Sequence, residues 1–170
     1  MKKILSVFFA AVMLFGLTAC SKSSVDMDTM ETASPEILTD APTESVSQPL
    51  SFSVYIPNAN ADGFHTETIH TADISAAAVL SALKTRNVLP DPVTINSFRM
   101  DNGLITIDFN QAFADAVCSM GTSGELLTVG SVVNTFLDAF QTESICFTVD
   151  GQILESGHTI YDSVMTFIDP

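Results

Sequence analysis

Val93-Thr94-Ile95-Asn96-Ser97-Phe98-Arg99-Met100-Asp101-Asn102-Gly103-Leu104-Ile105-Thr106-Ile107-Asp108-Phe109 reads as two strands joined by a tight reversal. Asn and Gly tolerate positive φ, so Asp101-Asn102-Gly103 suits the turn of a hairpin between residues 93–100 and 104–109. Successive strand side chains point to opposite faces. Ile105, Ile107 and Phe109 therefore share one face, and Thr106 and Asp108 the other. A sheet with one apolar face needs a cover, which the flanking segments supply as helices. Asp108 is expected to face solvent and, beside Asn110, to help start the next helix.

Upstream, Phe52, Val54 and Ile56 alternate with Ser53 and Tyr55 in a half-buried strand ended by Pro57 and Asn58, and a second short strand follows at 64–70. Asp73 suits the N-cap of a helix over 74–86, in which Ala77, Ala78, Leu80 and Leu83 recur at helical spacing before Asn87 and Pro90 end it. Downstream, Asn110 can cap a short helix carrying Phe113, Ala116 and Val117. After Gly121, Ser123 can cap a longer one whose stripe of Leu126, Val129, Val133, Phe136, Leu137 and Phe140 must pack on the sheet. Phe136 and Phe140 read as core rather than as a partner groove. Ile145, Phe147 and Val149 form a last patterned strand, and Asp150-Gly151 turns it back toward Ile153 and Leu154. Strands, helix, strands, helices and strand in this order predict an α+β fold, a two-layer sandwich with helices packed on a small mixed sheet. Residues 50–170 are the right size for one domain with a single core.

Before that domain the composition changes twice. Lys2 and Lys3 precede an apolar run from 4 to 17, and Leu17-Thr18-Ala19-Cys20 closes it with small residues before a cysteine. The fourteen residues from 4 to 17 fall short of the roughly 20 that span a bilayer. The segment resembles a bacterial lipoprotein signal peptide over 1–19. That resemblance implies cleavage before Cys20, a diacylglyceryl group on its thiol, and a protein held on the extracytoplasmic face of the cell membrane. Two or more acyl chains make a stable anchor, whereas one is marginal. Residues 20–49 are rich in Ser, Thr, Asp, Glu, Ala and Pro, with Pro35, Pro42 and Pro49 and no periodic apolar face, and so read as a disordered tether. Such a chain averages roughly 30 Å end to end.

Without residues 1–19 the chain carries four basic side chains, Lys22, Lys84, Arg86 and Arg99, against twenty acidic ones, a net charge of about −16. That surface repels nucleic acid, anionic headgroups and anionic wall polymers, and three cations in the domain are too few for a polyanion groove.

The chemistry-bearing residues form no catalytic set. His65 and His70 are five apart in a predicted strand, which places them on opposite faces where they cannot ligate one metal, and His158 is remote in sequence. No nucleophile elbow, phosphate loop or dinucleotide fingerprint is present. Cys118 has no basic neighbour in sequence to lower its pKa, so a catalytic thiolate lacks support. Outside the cytoplasm Cys118 and Cys146 can form a disulfide, or each can simply be buried as a small apolar side chain, and their spacing does not decide between the two. No metal or cofactor is expected.

Gly103 to Phe109, Phe113, Ser123 with Glu125, the run Val132-Val133-Asn134-Thr135-Phe136-Leu137 with Phe140, and Ile145-Cys146-Phe147-Thr148-Val149-Asp150-Gly151 together resemble the sporulation and spore-germination (GerMN) domain family, over roughly residues 52 to 160. Gly157-His158 fits the family pattern, whereas the run from Thr159 to Met165 departs from it. The resemblance implies a domain like the ring-building folds of secretion and sporulation complexes, and hence self-association or binding to another envelope protein rather than catalysis. A module that binds peptidoglycan fragments on a shallow surface is the competing expectation.

Overall fold

The computed structural model describes residues 49–170; the leader, Cys20 and the tether up to residue 48 lie outside the described residues. The described elements are β1 (Leu50–Pro57), β2 (Phe64–Thr71), α1 (Ala76–Thr85), β3 (Ile95–Asp101), β4 (Leu104–Phe109), α2 (Gln111–Cys118), α3 (Thr122–Phe140), β5 (Ser144–Val149), β6 (Leu154–Glu155) and β7 (Ile160–Tyr161). The fold is α+β, as expected.

The β3-β4 hairpin forms with Asp101 opposite Leu104, so Asn102 and Gly103 are its two loop residues, with φ of 50° and 78°. Both central residues lie in the left-handed region, whose twist matches that of the strands. β4 then pairs in parallel with β5, giving a mixed sheet of order β3-β4-β5. Parallel neighbours need a long crossover, and α2 and α3 supply it. Ile105, Ile107 and Phe109 on β4 and Ile145, Phe147 and Val149 on β5 are all buried. Phe109 stacks on Phe113 with centroids 4.3 Å apart, and Phe147 meets Phe113 edge-on at 5.3 Å. Residues spaced by two on strands and a helical residue thus converge in one aromatic centre.

The two flanking hairpins form separate two-stranded sheets, β1-β2 and β6-β7. They change the expected burial of α3. A helix on one sheet face has a single apolar stripe, yet every residue of α3 from Leu127 to Leu137 is buried. α3 touches β1, α1, α2 and β5, so its sides are covered by different elements. Phe136 is fully buried and Phe140 partly so, in line with a core role. Leu126 is 43% exposed and Leu127 only 3%, which moves one expected stripe residue to the surface.

Two caps differ from expectation, and a third is met in position but not in side-chain bonding. Ser75, not Asp73, is the N-cap of α1, its hydroxyl accepting from the Ala78 N–H, while Asp73 is bonded to Thr71 through its own backbone. α3 begins at Thr122 with Gly121 as N-cap, two residues ahead of Ser123. Asn110 holds the N-cap position of α2, but its side chain accepts from the Thr94 N–H and donates to the Pro92 carbonyl. At α2 and α3 no side chain caps the first turn, whereas at α1 the short polar residue next to the helix, Ser75, does so.

Candidate functional site

α3 carries four polar residues, Ser131, Asn134, Thr135 and Asp138, at the spacing of one helical face. Ser131, Asn134 and Thr135 are fully buried. Burying hydrogen-bonding groups is costly unless they are paired, and three of the four are paired with backbone that lacks a strand neighbour. Asp138 Oδ2 accepts the Ser53 N–H at 2.6 Å and Thr135 Oγ1 accepts the Tyr55 N–H at 3.1 Å. These two amides point away from β2, so α3 side chains satisfy the open edge of β1. Asn134 donates to the Ile168 carbonyl at 2.8 Å and accepts the Ile168 N–H at 2.9 Å, clamping the C-terminal tail as a strand partner would. Met165 exchanges two backbone hydrogen bonds with Ile145.

This arrangement lines an open cavity of about 570 Å³ between β1, the C-terminal end of α3 and the tail. Tyr55, Leu137, Asp138, Glu143 and Phe167 are among its walls. The helix ends there because Gln141 turns left-handed at φ 51°, with its side-chain amide on the Asp138 carbonyl at 2.6 Å. The Thr142 hydroxyl reaches the Gly103 carbonyl and ties this corner to the β3-β4 turn. Tyr55 is fixed between Phe64 and Phe167, edge-on to both at 6.2 and 5.5 Å. Phe64 in turn lies over Gly130, where an added Cβ would meet its Cζ at 2.7 Å. Burial, helped by the charge of Asp138, pushes the Tyr55 phenol above its ordinary pKa.

Asp108 is better explained as a tie than as a solvent-facing helix starter. A β-bulge between Ile95 and Ser97 leaves Asn96 out of register, and its side chain reaches Asp108 Oδ2 at 3.0 Å, Asp150 Oδ1 at 2.9 Å and the Phe109 carbonyl at 3.1 Å. Asp108 Oδ1 accepts from the Thr148 hydroxyl at 2.6 Å and the Gly151 N–H at 2.8 Å. These donors, Thr148 first, hold the carboxyl below the usual carboxylate range. The carboxylate thus joins β4, β5 and the turn after β5.

Glu125, in the first turn of α3, is 1% exposed. Its Oε1 accepts from the Ser156 hydroxyl at 2.5 Å and the Tyr161 hydroxyl at 2.7 Å, and Oε2 is buried without a partner. Burial first, then the hydrogen bond and charge of Glu125, push the Tyr161 phenol well above its ordinary pKa. The segment that departs from the GerMN pattern is therefore latched to α3 by the Tyr161 hydroxyl, and Ser156 just ahead of it bonds the same carboxylate oxygen.

The remaining candidates stay apart. His65 and His70 occupy exposed positions of β2, on opposite faces as expected, and His158 lies exposed between β6 and β7. Cys118 and Cys146 stand as free thiols: the first is exposed near the Glu155 carbonyl at 3.8 Å, the second is half-buried beside the Thr106 hydroxyl at 3.7 Å. They belong to different elements with different partners, so the disulfide alternative is not formed in the structure. Among the described residues no group of three His, Cys, Asp or Glu side chains could hold a metal ion, and no helix is long and apolar enough to cross a membrane.

Sequence reading passed over Tyr55, Asp138, Glu143 and the buried role of Glu125. The available signal was the run of polar side chains at 131, 134, 135 and 138, at the spacing of one helical face, in the part of α3 that is otherwise apolar.

A family model for sporulation and spore germination, Germane, matches residues 53–155. Among the solved structures similar to the chain are the following three. A candidate lipoprotein from Clostridium perfringens is 16% identical over 72% of this chain and 93% of that one, with a TM-score of 0.46. The tandem GerMN domains of the sporulation protein GerM from Bacillus subtilis are 15% identical over 74% of this chain and 49% of theirs, with a TM-score of 0.47. The first GerMN domain of GerM is 17% identical over 60% of this chain and 84% of its own, with a TM-score of 0.43. This chain thus spans about half of the tandem protein. No curated protein matches it.

Proposed function

The chain belongs to the sporulation and spore germination (Germane) family, and from that premise we propose that it is a lipid-anchored envelope protein whose domain assembles with another envelope protein or with a second copy of itself, without catalysing a reaction. The carrying observation is the order of parts in one chain: a leader ending in Leu17-Thr18-Ala19-Cys20, an acidic tether, and then the family match at 53–155. A domain held on a tether of roughly 30 Å can reach partners anchored in the same membrane. Its strongly acidic surface disfavours nucleic acid. The absence of a catalytic role is supported by how the buried and tied polar groups are engaged. Asp108, Asn134, Thr135 and Asp138 each take a hydrogen bond that joins two elements.

Crosslinking in native membranes followed by mass spectrometry tests the reading, with Cys20→Ala as the unanchored control. Crosslinks to the protein itself or to one envelope protein, lost in the control, are the expected result. Crosslinks to wall fragments alone would transfer the function to the wall-binding module. Crosslinks equal to those of the control would remove the anchored-assembly reading.

A further inference from the structure

We propose that the cavity between β1, the C-terminal end of α3 and the tail binds an organic cation, an ammonium or guanidinium group carried on a short alkyl stem. Its volume, about 570 Å³, lies within the roughly 300 to 1,000 Å³ typical of small-ligand sites.

Charge selects the ligand. Asp138 and Glu143 line the cavity, and among the described residues no basic side chain does. The three cations among the described residues are engaged elsewhere: Arg86 pairs with Glu67 at 2.8 Å, Arg99 with Asp101 at 3.2 Å, and Lys84 donates to the Asp91 carbonyl at 2.7 Å. The two carboxylates therefore meet no counter-charge from the described part of the domain. α3 ends at this same corner with no basic residue in its last turn, so the negative end of its dipole adds to the field. An anion or a neutral sugar gains nothing from that field, whereas a cation does.

Shape completes the selection. Tyr55 and Phe167 stand edge-to-face at 5.5 Å, so aromatic surface lies beside the carboxylates, and Leu137 offers an apolar wall for the alkyl stem. A cation beside an aromatic face is attracted by the ring quadrupole as well as by the carboxylates. The Ser53 N–H holds Asp138 in place, so the charge is positioned before a ligand arrives. This inference does not depend on the assembly reading, since a lone molecule contains the whole cavity.

The chain has two tyrosines, Tyr55 in the cavity wall and Tyr161 at the Glu125 latch. The full chain labelled with 3-fluorotyrosine in detergent micelles therefore has a reporter and an internal control. Nα-acetyl-lysine methylamide is expected to move the Tyr55 fluorine resonance saturably and leave that of Tyr161 in place, while the norleucine analogue, which lacks the ammonium group, moves neither. Glu143→Gln is expected to weaken binding about three- to fivefold, the scale of one partly exposed charge pair. Asp138→Asn is expected to act likewise, and it keeps an oxygen to accept the Ser53 N–H. Binding of n-butylamine as tight as that of the lysine derivative would identify a free amine as sufficient; markedly weaker binding would identify a peptide side chain as the source. An equal response to the norleucine analogue, no saturable Tyr55 response to either cation, or unchanged affinity in both variants with their unfolding midpoints preserved would overturn the proposal.

Discussion

Replacing Gly130 by alanine sets two effects of opposite sign against each other. In the interior of a helix alanine is favoured over glycine by about 1 kcal/mol, because glycine loses more backbone freedom on folding. The new Cβ, however, would lie 2.7 Å from Phe64 Cζ and 3.3 Å from Ile168 Cγ2. The first distance is inside van der Waals contact, and the Phe64 ring cannot retreat freely because it packs edge-on against Tyr55. Overpacking of this kind costs about 1 to 3 kcal/mol. The net expectation is a loss of about 1 kcal/mol, or roughly 3 to 6 °C in thermal midpoint for a domain of this length. Thermal unfolding followed by circular dichroism measures it. The decisive comparison repeats the substitution in a Phe64→Ala background, where the nearest obstacle is gone. There the intrinsic preference should win and Gly130→Ala should stabilise, leaving only a few tenths of an ångström to be yielded by the Ile168 methyl. A higher midpoint for Gly130→Ala in the parent chain, or the same sign in both backgrounds, would refute the claim that Phe64 requires the glycine.

Phe136→Ala removes a fully buried ring and should cost about 3 to 5 kcal/mol, enough to unfold most of a marginal domain; an unchanged melting temperature would place Phe136 outside the core. Asn134→Ala should release the tail while α3 and the mixed sheet remain folded, read as hydrogen exchange that quickens at Ile168 and not at Ile107. The Asp108 carboxyl has a folded pKa below its unfolded value of about 3.9, so its stabilising contribution is complete above that pH and lost as pH falls through the folded value; Asp108→Asn should flatten that acid limb of the unfolding midpoint. Tyr161 is shifted the other way, so its contribution is complete below about pH 10 and lost as pH rises further; Tyr161→Phe should remove that alkaline limb.

Local order was readable wherever a residue's neighbours in sequence impose it. Period-two alternation placed the β4 and β5 side chains on the correct faces, since strand geometry leaves no other choice. Asn102-Gly103 and Asp150-Gly151 both adopt the positive φ that their composition favours. The core role of Phe136 followed from its spacing. Cap residues were less legible: Asp73, Ser75 and Ser123 can all cap, and only the incoming path of the chain selects among the candidates. Asp108 was misread because Asn96 and Gly151, two of the groups that bond it, lie 12 and 43 residues away along the chain.

The sequence by itself determined the α+β class, the β3-β4 hairpin, the helices and the acidic character of the chain, because each follows from local periodicity, turn chemistry or composition. Tertiary structure alone decided that β4 and β5 run parallel, that α3 is buried throughout from Leu127 to Leu137, and that Tyr55, Asp138, Glu143 and Phe167 share one cavity. Tyr55 and Asp138 are brought together by contacts 80 and 85 residues apart in the chain. No local pattern encodes such a contact, because its formation depends on the closure of a long loop and on the joint packing of the elements at both ends.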